Sequence, residues 1–424
     1  VSVLDFLCDI RFHKSYVLPP NLDTGRHAPY RVSYADYGDP DSNAVVLFCG
    51  ALMGTRFCYS LLDQMAKEYK VRIIHPDRPG IGGSQSVDLD KRIQTWLEMV
   101  PLLLAHLNIT HVSLASHSGG DVYLLNTLLT YPYLLHPGTP YVCFFAPWVH
   151  HSNSKISQLR AAELLPAPLL GKFVSVVRFV NDNATPLAGL GGNFMQGIRY
   201  SMHRCNSNPG PEPALAPIPL TPACLAMRTR GTSLLSHDSP AELSLDDDAV
   251  VEELRSHIAS FLFAECMDGI SADVQLFLRK PHSIAWCSSV YWSDFDYAVP
   301  LISKMISEED DIDGLGRAWT IDTFHAQTDA MVGEKGKVWF DSCWMTHQST
   351  LAPIEKVDQC SSYLPLRNAY QYRSQVVEGA EHNYLMDPAF GASGIWLQRV
   401  RDAFPDPVEV RSPVVNHQMT LTRC

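Results

Sequence analysis

Basic clusters, closely paired cysteines and long apolar runs are all missing from this sequence of 424 residues. The net charge is −12 and no cluster of Lys and Arg stands out, so we expect no nucleic-acid partner. No apolar run reaches the roughly 18 residues of a membrane-spanning helix, which predicts a chain without a membrane span. The first residues also lack the basic and apolar stretches of a secretory signal, and we therefore expect a cytoplasmic protein.

The 11 cysteines are scattered, and none of them forms the Cys-x-x-Cys spacing of a zinc or redox motif. We interpret them as reduced, buried thiols. His150 and His151 are adjacent rather than one helical turn apart, so we interpret them as a loop pair. A stretch with Gly189, Gly191 and Gly192 follows no clear strand, which argues against a phosphate cradle. The sequence therefore predicts no metal site and no cofactor.

Short apolar segments alternate with longer amphipathic segments along much of the chain. Strands are predicted at 30–38, 44–50, 71–77, 111–116, 141–148, 317–326 and 370–380. Helices are predicted at 56–69, 93–107, 119–131 and 393–404, with a kink or break at Pro101. Such alternation is typical of the α/β class, with a mostly parallel sheet and helices on both of its faces.

The regular alternation stops between about residues 150 and 316. This block contains an apolar helical segment, a Pro- and Ser-rich stretch and a helix with an acidic start, at 158–180, 208–243 and 246–267. We interpret it as a helical insertion rather than a second catalytic domain. The predicted division is a first half of the core at 1–150, a helical lid at 151–315 and a second half of the core at 316–424.

A serine follows one of the predicted strands in the segment LASHSGGDVY. Ser118 lies between the strand at 111–116 and the next helix, as the serine of a nucleophile elbow does on its sharp, strained turn. The Gly119 amide is then expected to donate to an oxyanion. Ser116 stands where this motif usually has glycine, and we expect it to pack beneath the turn without a catalytic role. The alternative is a polar serine in an ordinary loop.

A second loop with glycines, in the segment FCGALMG, follows the strand at 44–50. In such a sheet this loop supplies the other oxyanion amide, commonly from the residue just after a glycine. That residue is Ala51, with Leu52 as the alternative. Taken alone the pattern is a weak signal, because glycines after a strand often form only a turn.

Two further polar residues follow the last predicted strands. Asp329 comes after the strand at 317–326, and His382 comes after the strand at 370–380. Because the carboxyl ends of parallel strands meet at one edge of a sheet, both side chains can approach Ser118. A histidine can take the serine proton, and an aspartate can hold the imidazole in the required tautomer.

Two other acidic residues are rivals of Asp329. Glu378 and Glu381 precede His382 by only a few residues. Since they belong to the same loop as the histidine, they are in the wrong place to reach behind its ring. Asp329 is therefore the predicted acid.

The segment DRPGIGGS after the strand at 71–77, the glycine loop before it and the SHSGG segment together resemble the α/β-hydrolase superfamily. In particular they resemble fungal-type hydrolases with a long helical lid. The resemblance covers about residues 30–150 and 316–404 and implies an eight-stranded, mostly parallel sheet.

By motif match this resemblance assigns the nucleophile to Ser118, the acid to Asp329, the base to His382 and the oxyanion donors to Ala51 and Gly119. This sequence departs from the family pattern at two places. They are the serine at position 116 and an apparent insertion at 346–366.

The residue at the elbow selects among the chemistries of that superfamily. A serine there, rather than the carboxylate of dehalogenases and epoxide hydrolases, favours acyl chemistry. The apolar segment at 158–180 predicts a hydrophobic small-molecule acyl substrate, unless its side chains only pack the lid onto the core. The leading hypothesis is a serine hydrolase that cleaves a carboxylic ester or thioester through an acyl-enzyme on Ser118.

Two alternatives stay open at the level of the sequence. One is an acyltransferase, cyclase or product-releasing enzyme of secondary metabolism on the same scaffold. The other is a non-catalytic binding protein. The sequence leaves the identity of the substrate and the oligomeric state undetermined.

Overall fold

The computed structural model of the protein describes residues 2–173, 243–245, 247–279, 295–313, 317–345 and 370–405. Parts of the predicted lid, including Gly189, Gly191 and Gly192, and the segment 346–366 lie outside these ranges. Among the helices described, none has the length and apolar character needed to cross a membrane.

The described residues form one sheet of eight strands. In chain order they are β1 Lys14–Leu18, β2 Tyr30–Gly38, β3 Val45–Cys49, β4 Arg72–Pro76, β5 Ser113–His117, β6 Tyr141–Phe145, β7 Trp319–Thr328 and β8 Tyr370–Glu381. The spatial order is β1-β2-β4-β3-β5-β6-β7-β8. Strand β2 pairs antiparallel with β1 and β4, and the remaining neighbours pair in parallel. This topology confirms the predicted α/β-hydrolase fold.

Burial of the central strands explains why their apolar sequence pattern predicts strands. Every residue of β3, β5 and β6 is buried, as expected of parallel strands covered by helices on both faces. Strand β1 was not predicted. It lies at the edge of the sheet, and its short sequence KSYVL alternates partly buried and exposed positions.

Twelve α-helices are assigned within the described ranges. They are α1 Val3–Leu7, α2 Leu62–Glu68, α3 Arg92–His106, α4 Asp121–Thr130, α5 His151–Ser154, α6 Ser157–Glu163, α7 Ala167–Leu170, α8 Asp248–Ala264, α9 Asp268–Phe277, α10 Ala298–Asp313, α11 Gly333–Met345 and α12 Ala392–Ala403. Helix α3 continues through Pro101, so a break at this residue was wrong. Helix α2 occupies only the second half of the segment predicted for it.

Apolar side chains cover both faces of the sheet. One cluster joins the sheet to α3, α4, α10 and α11, and the other joins it to α1, α2 and α12. The described part of 151–315 consists mainly of the short helices α5 to α7 and the helices α8 to α10. Since α5 begins a few residues after β6, these helices follow the carboxyl edge of the sheet, where open α/β sheets bind their ligands.

Candidate active site

The turn after β5 is strained at Ser118. Its φ is +51°, a backbone conformation that costs energy for any residue with a side chain. The two following glycines are required by close contacts. A Cβ at Gly119 would lie 2.3 Å from the Phe277 ring, and one at Gly120 would lie 2.1 Å from the Cys49 carbonyl oxygen. The segment therefore has the geometry that a nucleophile elbow needs.

Ser118, His382 and Asp329 form one line of hydrogen bonds. The Ser118 Oγ atom lies 2.8 Å from His382 Nε2, and His382 Nδ1 lies 2.9 Å from Asp329 Oδ2. The other carboxylate oxygen of Asp329 accepts the amides of Met331 and Val332 at 2.9 and 2.8 Å. These amides hold the carboxylate in one orientation. The carboxylate in turn orients the His382 ring toward Ser118.

Asp329 is ionised in this arrangement. Burial by itself raises the pKa of its carboxyl. The His382 ring and the amides of Val332 and Met331 outweigh burial and lower the pKa from 3.8 to about 2. At neutral pH the carboxylate therefore accepts a hydrogen bond from the Nδ1–H group of His382. The remaining nitrogen, Nε2, is then free to take a proton from Ser118.

The surroundings of the serine are apolar and closed. Ser118 is 6% exposed and His382 is 7% exposed. The Phe277 ring of α9 lies against Gly119, and the centroid of the Trp148 ring lies 6.0 Å from that of the Phe277 ring. Leu52 packs against three apolar clusters, all of which include residues of α9 and one of which includes Leu170 of α7. The wall around Ser118 is thus built partly from residues between β6 and β7.

His117, the residue before Ser118, makes contacts that the sequence did not reveal. His117 Nε2 lies 2.9 Å from the carbonyl oxygen of His382, and its Nδ1 lies 2.9 Å from the Tyr59 hydroxyl. Burial and the nearby His382 lower the pKa of His117 to about 3, so its ring is neutral. Its Nε2–H donates to the carbonyl, and Nδ1 accepts from Tyr59. This ring therefore joins the serine turn to the loop that carries the histidine.

The Ala51 amide, an assigned oxyanion donor, is used in this network. It donates to the Tyr59 hydroxyl at 3.0 Å. The Leu52 amide, the alternative donor, contacts no hydrogen-bond acceptor among the residues that the structure describes. Gly119 is the second residue of a short 3₁₀ turn, where amides have no acceptor within the turn. The oxyanion roles of these three amides remain predictions.

Arg78, from the DRPGIGGS segment, binds the main-chain carbonyls of the loop after β3. Its guanidinium donates to the carbonyl of Gly50, to that of Ala51 at 2.8 Å and to that of Leu52 at 2.7 Å. It also donates to Asp273 of α9 at 2.8 Å. Because a peptide's N–H points opposite to its C=O, these bonds turn the loop amides away from Arg78. The sequence motif alone gives no indication of these contacts of Arg78.

Asp273 is shared between two buried arginines. Arg92 also donates to it, at 2.6 Å from Nη2, and the Tyr123 hydroxyl donates to the same carboxylate. All four side chains of this group are almost fully buried. The network therefore joins helix α9 of the insertion to helices α3 and α4 of the core, directly beneath the loop at 50–52.

The other residues considered in the sequence lie outside this line. Glu378 and Glu381 are exposed on β8 and do not contact the His382 ring. Ser116 is fully buried on β5, and its hydroxyl has no partner among the described residues. His150 and His151 are not a loop pair, because His150 immediately precedes helix α5 and His151 is the first residue of that helix.

No protein-family model matches the chain, and the comparison with curated proteins finds no match. Among solved structures, an epoxide hydrolase from Vigna radiata is 12% identical, covers 93% of this chain and 99% of its own, and has a TM-score of 0.49. The thioesterase domain from the curacin biosynthetic pathway is 12% identical, covers 91% and 99%, and has a TM-score of 0.43. A haloalkane dehalogenase variant from Bradyrhizobium elkanii is 14% identical, covers 92% and 98%, and has a TM-score of 0.44. At these identities the similarity concerns the fold alone.

Proposed function

We propose that the protein is a serine hydrolase that cleaves a hydrophobic carboxylic ester or thioester through an acyl-enzyme on Ser118. The observation that carries this proposal is the continuous line from Ser118 Oγ to His382 Nε2 at 2.8 Å and from His382 Nδ1 to Asp329 Oδ2 at 2.9 Å. A serine hydroxyl is a poor nucleophile unless a base takes its proton, and this line supplies that base.

The reaction would proceed in two halves. Ser118 Oγ bonds to the acyl carbon while His382 Nε2 takes the hydroxyl proton and Asp329 stabilises the imidazolium. The carbonyl oxygen becomes an oxyanion that the Gly119 amide and an amide of the loop at 50–52 would stabilise. The bond to the alcohol or thiol then breaks, and this leaving group takes the proton from His382. Water repeats the sequence on the acyl-enzyme and releases the acid.

The preference for an apolar acyl group rests on the residues around the serine. Phe277 lies against Gly119 of the elbow, the Trp148 ring packs 6.0 Å from the Phe277 ring, and Leu52 packs with Leu170 of α7 and Val274 of α9. Apolar walls favour an apolar acyl chain, because its transfer from water contributes about 25 cal/mol for each Å² buried. The described residues of this wall give a charged acyl group no favourable partner.

The test is covalent labelling by a fluorophosphonate together with turnover of p-nitrophenyl esters of graded chain length. We expect labelling and turnover in the wild type, and a loss of about 10⁶-fold in kcat in Ser118→Ala, the size of effect seen for serine nucleophiles. Ser116→Ala is the matched control, because it removes a buried hydroxyl two residues away that has no described partner.

The outcomes separate the proposal from its alternatives. A folded wild type that resists the label, or a Ser118→Ala variant that still takes it, contradicts the proposal. Addition of an alcohol or amine acceptor distinguishes hydrolysis from acyl transfer, since transfer yields the acceptor's ester or amide in place of the free acid. A non-catalytic binding protein would bind its ligand equally well as the Ser118→Ala variant and would turn over none of the esters.

A further inference from the structure

A second cluster of chemically competent side chains lies where the chain leaves β6. It consists of His150, His151 and Glu163, the last residue of α6. One ligand atom from each residue lies within 4.8 Å of the others. His150 Nε2 is 3.9 Å from Glu163 Oε1, and His151 Nε2 contacts Glu163 Oε2 directly. Among the residues that the structure describes, no other group of three meets this criterion.

The buried member of the cluster has an unused nitrogen. His150 is 3% exposed, and its Nε2 has no hydrogen-bond partner among the described residues. Buried polar atoms are nearly always satisfied, because an unmade hydrogen bond costs about 1–3 kcal/mol. The nitrogen faces the Glu163 carboxylate without bonding to it. Such an atom indicates a partner that enters between the ring and the carboxylate.

The opposite nitrogen of the same ring is held by a relay. His150 Nδ1 lies 3.0 Å from Ser152 Oγ, and this hydroxyl donates to Asp296 Oδ2 at 2.8 Å. With its hydrogen committed to Asp296, the hydroxyl can accept Nδ1–H, which leaves the lone pair on Nε2. The Ser152 amide also approaches Nδ1, at a longer 3.3 Å, and binding of a metal through Nε2 requires the tautomer in which Nδ1–H donates to the hydroxyl. Metal-binding histidines commonly have such a carboxylate behind them.

The charges near the cluster favour a cation. Glu163 and Asp296 are negative, and the guanidinium of Arg279 lies 2.7 Å from Asp296. Because Arg279 pairs with Asp296, the charge of Glu163 is left to be balanced by a bound cation or by His151. Two imidazole nitrogens and one carboxylate match the ligand preference of zinc, and three protein ligands with one open position are a common zinc set.

We propose that His150, His151 and Glu163 bind a zinc ion. Zinc–ligand distances of about 2.0–2.1 Å place tetrahedral donor atoms about 3.3 Å apart, so the cluster needs only small side-chain movements to close around the ion. The site would tie helix α6 of the insertion to the end of β6. Trp148, two residues before His150, packs near the Phe277 ring that lies against Gly119. A zinc ion here would therefore stiffen one wall of the candidate active site.

The test measures zinc on the full-length chain after chelator treatment and desalting, by competition with a zinc-sensitive dye. We expect the wild type to bind one zinc ion more per chain than Glu163→Gln or His151→Ala, each of which weakens that site by roughly 100-fold or more. Ser152→Ala breaks only the relay and should weaken binding by about 10- to 100-fold. Cobalt in place of zinc should give the visible absorption of a four-coordinate site, and Glu163→Gln should abolish it.

The matched control is His257→Ala. His257 also faces a carboxylate, with Nε2 3.7 Å from Glu253 Oε1, but the pair is exposed on α8 and has no third ligand among the described residues. This variant should bind zinc as the wild type does. Equal zinc affinity and stoichiometry in the wild type, Glu163→Gln and His151→Ala would overturn the proposal, as would a wild type that binds none. Labelling of Ser118 is a separate measurement, so failure of this site and failure of the hydrolase proposal are distinguishable.

Discussion

The two sides of the candidate active site are held in place by different interactions. On the side of the proposed nucleophile, called the nucleophile side below, glycine contacts, a strained φ of +51° and a line of hydrogen bonds position Ser118 and His382. On the oxyanion side, the buried charges of Arg78, Asp273 and Arg92 hold the loop at 50–52. The first set contacts Ser118 and His382 themselves, and the second contacts only the main chain of the loop at 50–52. Substitutions on the two sides should therefore separate chemistry from stability.

The largest effect is expected on the nucleophile side. Asp329→Asn should lower kcat by about 10⁴-fold, because an amide at this position favours the wrong tautomer of the histidine. KM should change little, since Asp329 lies behind His382 and away from an acyl chain. Steady-state kinetics on p-nitrophenyl esters measure both constants. A variant with kcat within tenfold of the wild type would contradict the role of Asp329, and Glu381→Gln, on the exposed face of β8, is the control that should retain full activity.

A smaller but broader effect is expected on the oxyanion side. Arg78→Met leaves Asp273 short of one partner and frees the Ala51 and Leu52 carbonyls, which should destabilise the fold by about 3–5 kcal/mol. It should also lower kcat by about 10²- to 10³-fold, the effect of losing one oxyanion donor. Denaturant unfolding and kinetics at saturating ester measure the two effects separately.

Arg92→Met is the matched control for Arg78. Arg92 binds the same Asp273, but its remaining contact is the Pro79 carbonyl and not the loop at 50–52. It should lose comparable stability and keep a kcat close to that of the wild type. If both variants lose kcat equally, Arg78 acts through stability alone and the proposed orientation of the loop is wrong.

The smallest effect is the pH dependence of stability on the nucleophile side. The pKa of Asp329 falls from 3.8 to about 2 on folding, so its contribution is complete above pH 3.8 and disappears as the pH falls through about 2. The shift corresponds to about 2 kcal/mol. Urea unfolding between pH 2 and 6 should show a stability difference between the wild type and Asp329→Asn that shrinks toward the acid end. A difference independent of pH would contradict a carboxylate stabilised by the His382 ring.

Much of the architecture could be predicted because the residues that build it are close in sequence. Strands β3, β5 and β6 are continuous apolar runs, since a parallel strand under helices is buried on both faces. The elbow at Ser118 could also be predicted, because the strand, the turn and the glycines are consecutive. Strand β1 was missed for the opposite reason, since its edge position leaves side chains exposed and weakens the apolar pattern.

The order of Ser118, Asp329 and His382 along the chain, each after a strand of a parallel sheet, was sufficient to place them at one edge. The sequence by itself thus determined the fold and which residues could form the line at the candidate site. Only the tertiary structure decided which amides and charges surround that line. Arg78 donates to Asp273, which lies 195 positions away along the chain. The Tyr59 hydroxyl accepts a hydrogen bond from the Ala51 amide, and Glu163 lies close to two adjacent histidines. These contacts depend on how helices pack against the sheet edge, and periodicity and local motifs carry no information about that packing.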